Sequence, residues 1–365
     1  MYQYLKKLLT KRIIFFQKRI DEVYLKRSSR QYMKSLIRKR NLPKLTTEEV
    51  KQAKSYYKTK GYKLSNTYWH RYYKAMNGEF HKDYVPFDIF KSIISPRLNQ
   101  QRQYPALLDK NMLYNIFKDF KQPIHVVQNI NGFYYVNNQI VDVTDAIKAC
   151  NSNSNHFIIK PTVGSGQGRM VNAFTVKDSM TSYKNLSLLE LFKLYHKDFI
   201  VQEFLEQSDL LNSLNPSSVN TLRVVSYLNK EGVHILASVL RIGKPGNSTD
   251  NFSTGGIFCG VLEDGQLKDK GFNPKGTQFT KTSTGIILKD CKIPNYDKVQ
   301  EMTKSMHFKV PYFKIISWDI AINKSNMPVL IEYNTYKQGI DLQMASGPLF
   351  GKFADEILDM GLKPY

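Results

Sequence analysis

The sequence predicts an α+β chain preceded by a helical, basic N-terminal region. Three observations carry that prediction. Apolar residues recur at helical spacing through the first part of the chain, a strand-like run enters a glycine-rich turn and leaves as a second strand, and two apolar strands near the C-terminus carry paired acids. At 365 residues, 42% of them hydrophobic, the chain is long enough for two or three compact units with a large core.

The N-terminal region comes first. Leu5, Leu8, Leu9, Ile13, Phe16 and Ile20 recur at helical spacing with Lys and Arg between them, so residues 1–40 read as helix. These forty residues hold thirteen Lys and Arg against only Asp21 and Glu22, a net of +11 out of +22 for the whole chain. A basic arm points to a local anionic partner, with an anionic membrane surface or polymer on a par with RNA, and no specific nucleic acid is expected. The plainer alternative is a helix packed on its own domain with a solvated basic face. Asn41-Leu-Pro43 breaks this helix, and Thr46 with Glu48 and Glu49 opens another that runs to about Lys60. The aromatic run Tyr68–Tyr73 reads as a helical lead-in whose Trp69-His70 pair belongs to a core.

From Ala106 to Phe120 the apolar positions again follow helical spacing, with Asp109-Lys110 in the first turn. Strand pieces follow at 124–127 and 133–136, flanking Asn131-Gly132. The polar linker 151–155 leads into His156-Phe-Ile-Ile-Lys160-Pro161-Thr-Val-Gly164-Ser165-Gly166-Gln167-Gly168. Alternating glycines let successive N–H groups turn toward one anion, and a lysine just before them adds a point charge for phosphate. The loop lies between two strands and lacks the Gly-Lys-Ser/Thr ending of a Walker loop and the spacing of a dinucleotide fingerprint. A glycine-rich hairpin that binds nothing stays open at this point. A helix over 186–195, strands over 199–205, 220–228 and 233–242, the loop 243–256 and a helix over 296–307 follow.

The last element is an acidic hairpin, strands 312–322 and 328–334. A tight turn centred on Ser325-Asn326 pairs Asp319 directly with Glu332, and the two-residue period puts Asn334 on the face of Glu332. Two carboxylates that close repel unless a cation lies between them, and an oxygen-only set suits Mg²⁺, with Mn²⁺ as the other candidate. The alternative is a solvated hairpin with surface acids.

In order, the chain shows Lys160, the glycine hairpin, Gln202-Glu203, Asn220-Thr-Leu-Arg223, Leu240-Arg-Ile-Gly243, Asp250-Asn251 to Gly255-Gly256, then Asp319 with Glu332-Tyr-Asn334. This series resembles the ATP-grasp superfamily and, more narrowly, the sugar-transfer-associated ATP-grasp proteins of polysaccharide biosynthesis, over roughly residues 109–365. The resemblance implies an ATP-grasp fold of two α+β subdomains gripping ATP: a helical region 1–105, a small subdomain 106–155, a glycine-loop lid and hinge 156–205, and a C-terminal subdomain 206–365. It implies that Lys110 and Lys160 bind ATP phosphates, that Gly164, Ser165, Gly166 and Gly168 close over them, and that Gln202, Glu203 and Leu205 hold adenine. Asp319, Glu332 and Asn334 would hold Mg²⁺, Arg223 and Arg241 would stabilise the transferred phosphoryl group or a substrate carboxylate, and Asp250, Asn251, Gly255 and Gly256 would form a substrate loop. Gln167 and Arg169 are bulkier than the small residues common in that loop.

The function this implies is ATP-dependent carboxylate–amine ligation through an acyl phosphate, joining an amino acid or related amine to a sugar acid or sugar unit in surface polysaccharide biosynthesis. A kinase acting on a sugar hydroxyl, or a module binding anionic lipid, polymer or RNA through the arm, are the other readings. Cys150, Cys259 and Cys291 lie far apart with no metal spacing, no apolar run approaches the ~20 residues of a membrane span, and the start shows no signal-peptide core. The expectation is therefore a cytoplasmic protein, with the inner membrane face as the place for the basic arm.

Overall fold

The computed structural model describes residues 2–152, 156–164, 168–247, 250, 254–336 and 338–363. Two compact units emerge: residues 1–101 with 335–365, and residues 102–334. The α+β class expected from the sequence is borne out, as is the helical region at the start.

The first unit is helical. Its opening helix, Tyr2–Lys39, spans 38 residues and buries Met33 and Ile37 near its C-terminal end. Thr46 caps the helix Thr47–Thr59: its hydroxyl accepts from the Glu49 N–H at 3.2 Å, and the Glu49 carboxylate accepts from the Thr46 N–H at 2.8 Å. The helix Tyr68–Asn77 ends at Gly78, whose φ of 86° suits glycine. Trp69 and His70 are buried in an aromatic cluster with Tyr57, Tyr73 and Tyr84, as expected of a core pair, and burial pushes the His70 imidazole down to about 4. The returning C-terminal segment is tied in by Gln343, whose amide both accepts from the Val85 N–H and donates to the Val85 carbonyl, each at 3.0 Å. Lys60 pairs with Asp355 and Asp359 on the helix Ala354–Leu362.

The second unit holds two sheets. The first is built from β1 (His125–Ile130), β2 (Phe133–Val136), β3 (Gln139–Val141), β4 (His156–Pro161), β5 (Asn172–Lys177), β6 (Met180–Thr181) and β7 (Phe199–Glu203), in the order β3-β2-β1-β7-β4-β5-β6. The helices Val143–Ser152 and Leu188–Tyr195 cover it and share its core of Val127, Phe157, Phe174, Leu191, Phe192 and Phe199. The second sheet is built from β8 (Thr221–Asn229), β9 (Gly232–Ile242), β10 (Ile257–Val261), β11 (Leu267–Phe272), β12 (Gln278–Phe279), β13 (Ile315–Ile322) and β14 (Pro328–Asn334), in the order β12-β11-β10-β9-β8-β13-β14. The helix Tyr296–His307 falls where its periodicity put it and packs on this sheet with Val299, Met302 and Met306.

One expected helix is divided. The segment 106–120 forms two short helices, Tyr104–Leu107 and Lys110–Ile116, because the Asp109 carboxylate accepts from the Asn111 N–H at 2.9 Å and starts a new helix there. All three cysteines are buried and unbonded. No helix among the described residues is long and apolar enough to cross a membrane.

Candidate functional site

The site lies wholly in the second unit, and strand register builds half of it. Arg223 on β8 stands opposite Asp319 on β13, and Asp319 stands opposite Glu332 on β14, so three charged residues form one row across three strands. Thr221, two residues before Arg223 and hence on the same face, pairs across to Arg241 on β9. Every residue of β13 is buried, and Asp319 has 0% exposure. An unpaired carboxylate there would be prohibitive. Asp319 is instead gripped by two guanidiniums: Arg223 through Nε and Nη2, the latter at 2.8 Å, and Arg241 Nη2 at 3.2 Å. Asp250 completes this set. Its Oδ2 accepts from the Thr221 N–H at 3.1 Å, from the Thr221 hydroxyl and from Arg241 Nε at 3.2 Å. Burial pushes the Asp250 carboxyl up, against the opposing pull of Arg241.

The other half is built by lysines. Lys160 sits near the end of β4, is 8% exposed, and makes no ion pair among the described residues. The Lys110 N–H donates to the Thr162 carbonyl at 3.1 Å, which brings the start of its helix beside the end of β4. Lys110 Nζ lies 3.3 Å from Glu332 Oε2. Burial and then Lys110 push the Lys160 ammonium down to about 8, although Glu332 pulls the other way. Burial alone would raise the Glu332 carboxyl, but Lys110, Lys160, Arg241 and Arg223 outweigh it and hold the carboxyl below the usual carboxylate range.

One cleft gathers Lys110, Lys160, Gly168, Gln202, Glu203, Leu205, Arg241, Asp250, Asp319 and Glu332. Arg223 adjoins it through Asp319. Gly164, Gly255, Gly256 and Asn334 are described but are not among the lining residues, while Ser165, Gly166 and Asn251 lie outside the described residues. The Glu203 N–H donates to the Ile124 carbonyl at 3.0 Å, and the Phe204 N–H to the His156 carbonyl at 2.9 Å. Those two N–H groups are therefore spent within the protein.

Sequence reasoning missed the apolar wall: Ile158, Val171, Phe204, Val219 and Ile331 also line the cleft. Ile158 was within reach, since it lies two residues before Lys160 on one strand face. Ile331 was not. Asp319 pairs with Glu332 but Ile320 pairs with Leu330, so a β-bulge inserts Ile331 and turns two successive residues toward the cleft.

The oxygen donors fit a hard divalent cation in type. Asp319 and Glu332 are cross-strand partners, and a carboxylate has about four lone-pair sites, more than the ion pairs here use. Among the described residues no group of three or more His, Cys, Asp or Glu side chains converges as a self-sufficient metal cage.

Comparison with known proteins follows this geometry. The description of sugar-transfer associated ATP-grasp proteins matches residues 90–357. Among solved structures, the L-amino acid ligase from Bacillus licheniformis is 11% identical with a TM-score of 0.41, over 72% of this chain and 49% of that one. The D-alanine–D-alanine ligase from Bacillus anthracis complexed with ATP is 12% identical with a TM-score of 0.36, over 70% of this chain and 64% of that one. The ATP-grasp ligase PsnB, complexed with a precursor peptide and AMPPNP, is 12% identical with a TM-score of 0.42, over 73% and 63%. The chain thus spans about half to two thirds of the length of these solved chains. No curated protein matches it.

Proposed function

The chain belongs to the sugar-transfer associated ATP-grasp family, and from that premise we propose that it is an ATP-dependent carboxylate–amine ligase. The observation that carries this reading is the charge inventory of one cleft. Lys110, Lys160 and Arg241, with Arg223 behind them, face Asp250, Asp319 and Glu332, beside an apolar wall of Ile158, Val171, Phe204 and Ile331. With Glu203 of the 202–205 segment the cleft holds as many carboxylates as cations, but Lys160, buried there, makes no ion pair among the described residues. That arrangement suits a polyphosphate better than a neutral ligand.

In the proposed reaction a substrate carboxylate oxygen attacks the γ-phosphorus of ATP. The bond from that phosphorus to the β–γ bridging oxygen breaks, ADP departs, and an acyl phosphate remains. An amine then attacks the acyl carbon, phosphate leaves with the C–O bond electrons, and the amine gives up a proton as the amide forms. Lys110 and Lys160 hold the phosphates, and Arg223 and Arg241 orient and neutralise the transferring group. Mg²⁺ would be held by Asp319, Glu332 and Asn334 and would supply charge neutralisation at the phosphates. Asp250 is a positioning residue for Arg241 rather than a base, since its Oδ2 already takes three donors. This weighs against transfer to a hydroxyl, which would want a base beside it. The substrate class, a sugar acid or sugar unit of a surface polysaccharide joined to an amino acid or related amine, rests on the family's association with sugar transfer.

Hydroxylamine trapping tests the reaction. Incubation with ATP, Mg²⁺ and a panel of uronic and amino acids should give a hydroxamate, detected by mass spectrometry, only when ATP is present. A stable phosphorylated sugar with no hydroxamate would replace the ligase with a kinase.

A further inference from the structure

The opening helix carries a different apolar face in each half. Toward its C-terminal end Ser29, Met33 and Ile37 are buried, and Trp69 Nε1 donates to the Ser29 hydroxyl at 3.2 Å, so this face belongs to the core of the first unit. Toward its N-terminal end Leu9, Phe16, Ile20 and Val23 are exposed by 59%, 60%, 61% and 65%. With 3.6 residues per turn these four fall within a sector of about 60°, centred about 110° around the helix from the Ser29–Met33–Ile37 face. Arg12 and Arg19, both exposed, flank the stripe, and Arg27 continues it. The only acids of the segment, Asp21 and Glu22, are turned off the stripe and engaged by Gln17 and Lys26.

The charge pattern decides among occupants. Leu9, Phe16 and Val23 recur every seven residues, which a second copy of the helix could use as a coiled-coil seam. Ile13 and Ile20 would complete that seam, but Arg12, Arg19 and Lys26 would run along its edge with no acid at Thr10, Gln17 or Tyr24 to pair them, so a line of cations would go uncompensated beside the contact. A nucleic acid would satisfy the cations but leave the apolar stripe in water. An anionic bilayer satisfies both: apolar side chains enter the boundary of the acyl layer while flanking arginines extend to the headgroups. We propose that the N-terminal half of this helix, to about Tyr24, is a docking surface for an anionic lipid bilayer. The C-terminal half ties that surface rigidly to the first unit through its buried face.

Co-sedimentation of the full chain with phosphatidylcholine vesicles, with and without phosphatidylglycerol, tests this. Retention is expected on the anionic vesicles alone and should fall as salt rises. Phe16→Ser with Ile20→Ser should lower retention about tenfold or more. Arg12→Glu with Arg19→Glu should abolish it, and Arg12→Lys with Arg19→Lys should keep it, since a headgroup needs charge and not a planar fork. An unchanged circular dichroism spectrum and urea midpoint in each variant report an intact fold. Equal retention on neutral vesicles, or no loss in the Phe16/Ile20 variant, overturns the proposal. So does a concentration-dependent dimer that this variant abolishes without vesicle binding, or capture by polyuridylate with indifference to vesicles.

Discussion

The two sides of the cleft handle charge differently. On the arginine side, Arg223 and Arg241 face Asp319 and Asp250, and each of the four groups makes at least two hydrogen bonds or ion pairs. On the lysine side, Lys110 Nζ lies 3.3 Å from Glu332 Oε2, while Lys160 makes no ion pair among the described residues and its ammonium is pushed down to about 8 by burial and then by Lys110. The arginine side is balanced before any ligand arrives, so it supplies rigid orientation. The lysine side carries an excess positive charge that an anion would compensate, so it supplies binding. A preorganised donor set and an under-compensated one are what phosphoryl transfer needs in one place.

The largest expected effect is on turnover. Lys160→Met on one side and Asp319→Asn on the other should each lower ATP turnover ~100-fold or more, measured as ADP release under saturating Mg²⁺. Glu332→Gln should do the same while leaving the circular dichroism spectrum intact. If Glu332→Gln and Asp319→Asn both turn over ATP at near-normal rates, neither residue holds a metal or a phosphate.

Stability should separate the two sides more sharply. Asp319→Ala strands two buried guanidiniums and should cost ~3–5 kcal/mol in urea unfolding. Lys160→Met removes a buried cation that has no ion pair among the described residues, so it should leave the urea midpoint unchanged or raise it. Equal losses in the two variants would erase the distinction drawn between the sides.

Much of this was legible in the sequence because strand period is two and acids are rare in apolar strands. A turn centred on Ser325-Asn326 predicts Asp319 opposite Glu332, and the pair is there, but Ile322 meets Pro328, one residue off that turn, and the bulge at Ile331 makes up the difference. The helix Tyr296–His307 and the cap at Thr46 were equally plain. What stayed hidden depends on long-range register or on a defect in it. The Arg223–Asp319 pair joins residues 96 apart in sequence, and no local pattern selects that partner. The bulge that turns Ile331 into the cleft breaks the very period used to read β14. The resemblance puts Asp250 in a substrate loop, and no local pattern shows that its Oδ2 is held by Thr221 and Arg241. The opening helix mixes two apolar faces in one run, so its period alone does not tell the packed half from the exposed one.

The lysine side should also carry a pH signature. The Lys160 ammonium is lowered in the folded protein to about 8, below the unfolded value near ~10.4. Between these values the unfolded chain binds more protons, so stability should rise as pH increases through that window, and the penalty of the buried cation should be fully present below pH ~8. ATP affinity should move the other way, weakening above pH ~8 as the neutral amine ceases to pair with phosphate, and ATP binding near that pH should take up protons. Calorimetric titration of ATP in buffers of differing ionisation enthalpy measures that uptake. Lys160→Met should abolish it, and persistence of the uptake in that variant would assign it to another group.

The smallest effect should come from the hydroxyl that joins the arginine side together. Thr221 Oγ1 accepts from Arg241 Nε at 3.0 Å and Nη2 at 2.7 Å while donating to Asp250. Thr221→Val keeps the shape and removes that oxygen. Arg241 retains Asp250 and Asp319, so the guanidinium stays charged and paired but loses a contact that fixes its plane. The stability cost should be ~1–2 kcal/mol, the range for a buried hydrogen bond to a charged group whose other partners remain. Acceptor-dependent turnover should fall ~10-fold, because a small misorientation of the group that meets the transferring phosphoryl is costly, while ATP affinity stays set by the lysines. Thr221→Ser, which keeps the hydroxyl and drops only the methyl, should restore turnover toward the parent. If serine and valine lower it equally, the methyl packing and not the oxygen matters, and the arginine side owes its order to Asp250 and Asp319 alone.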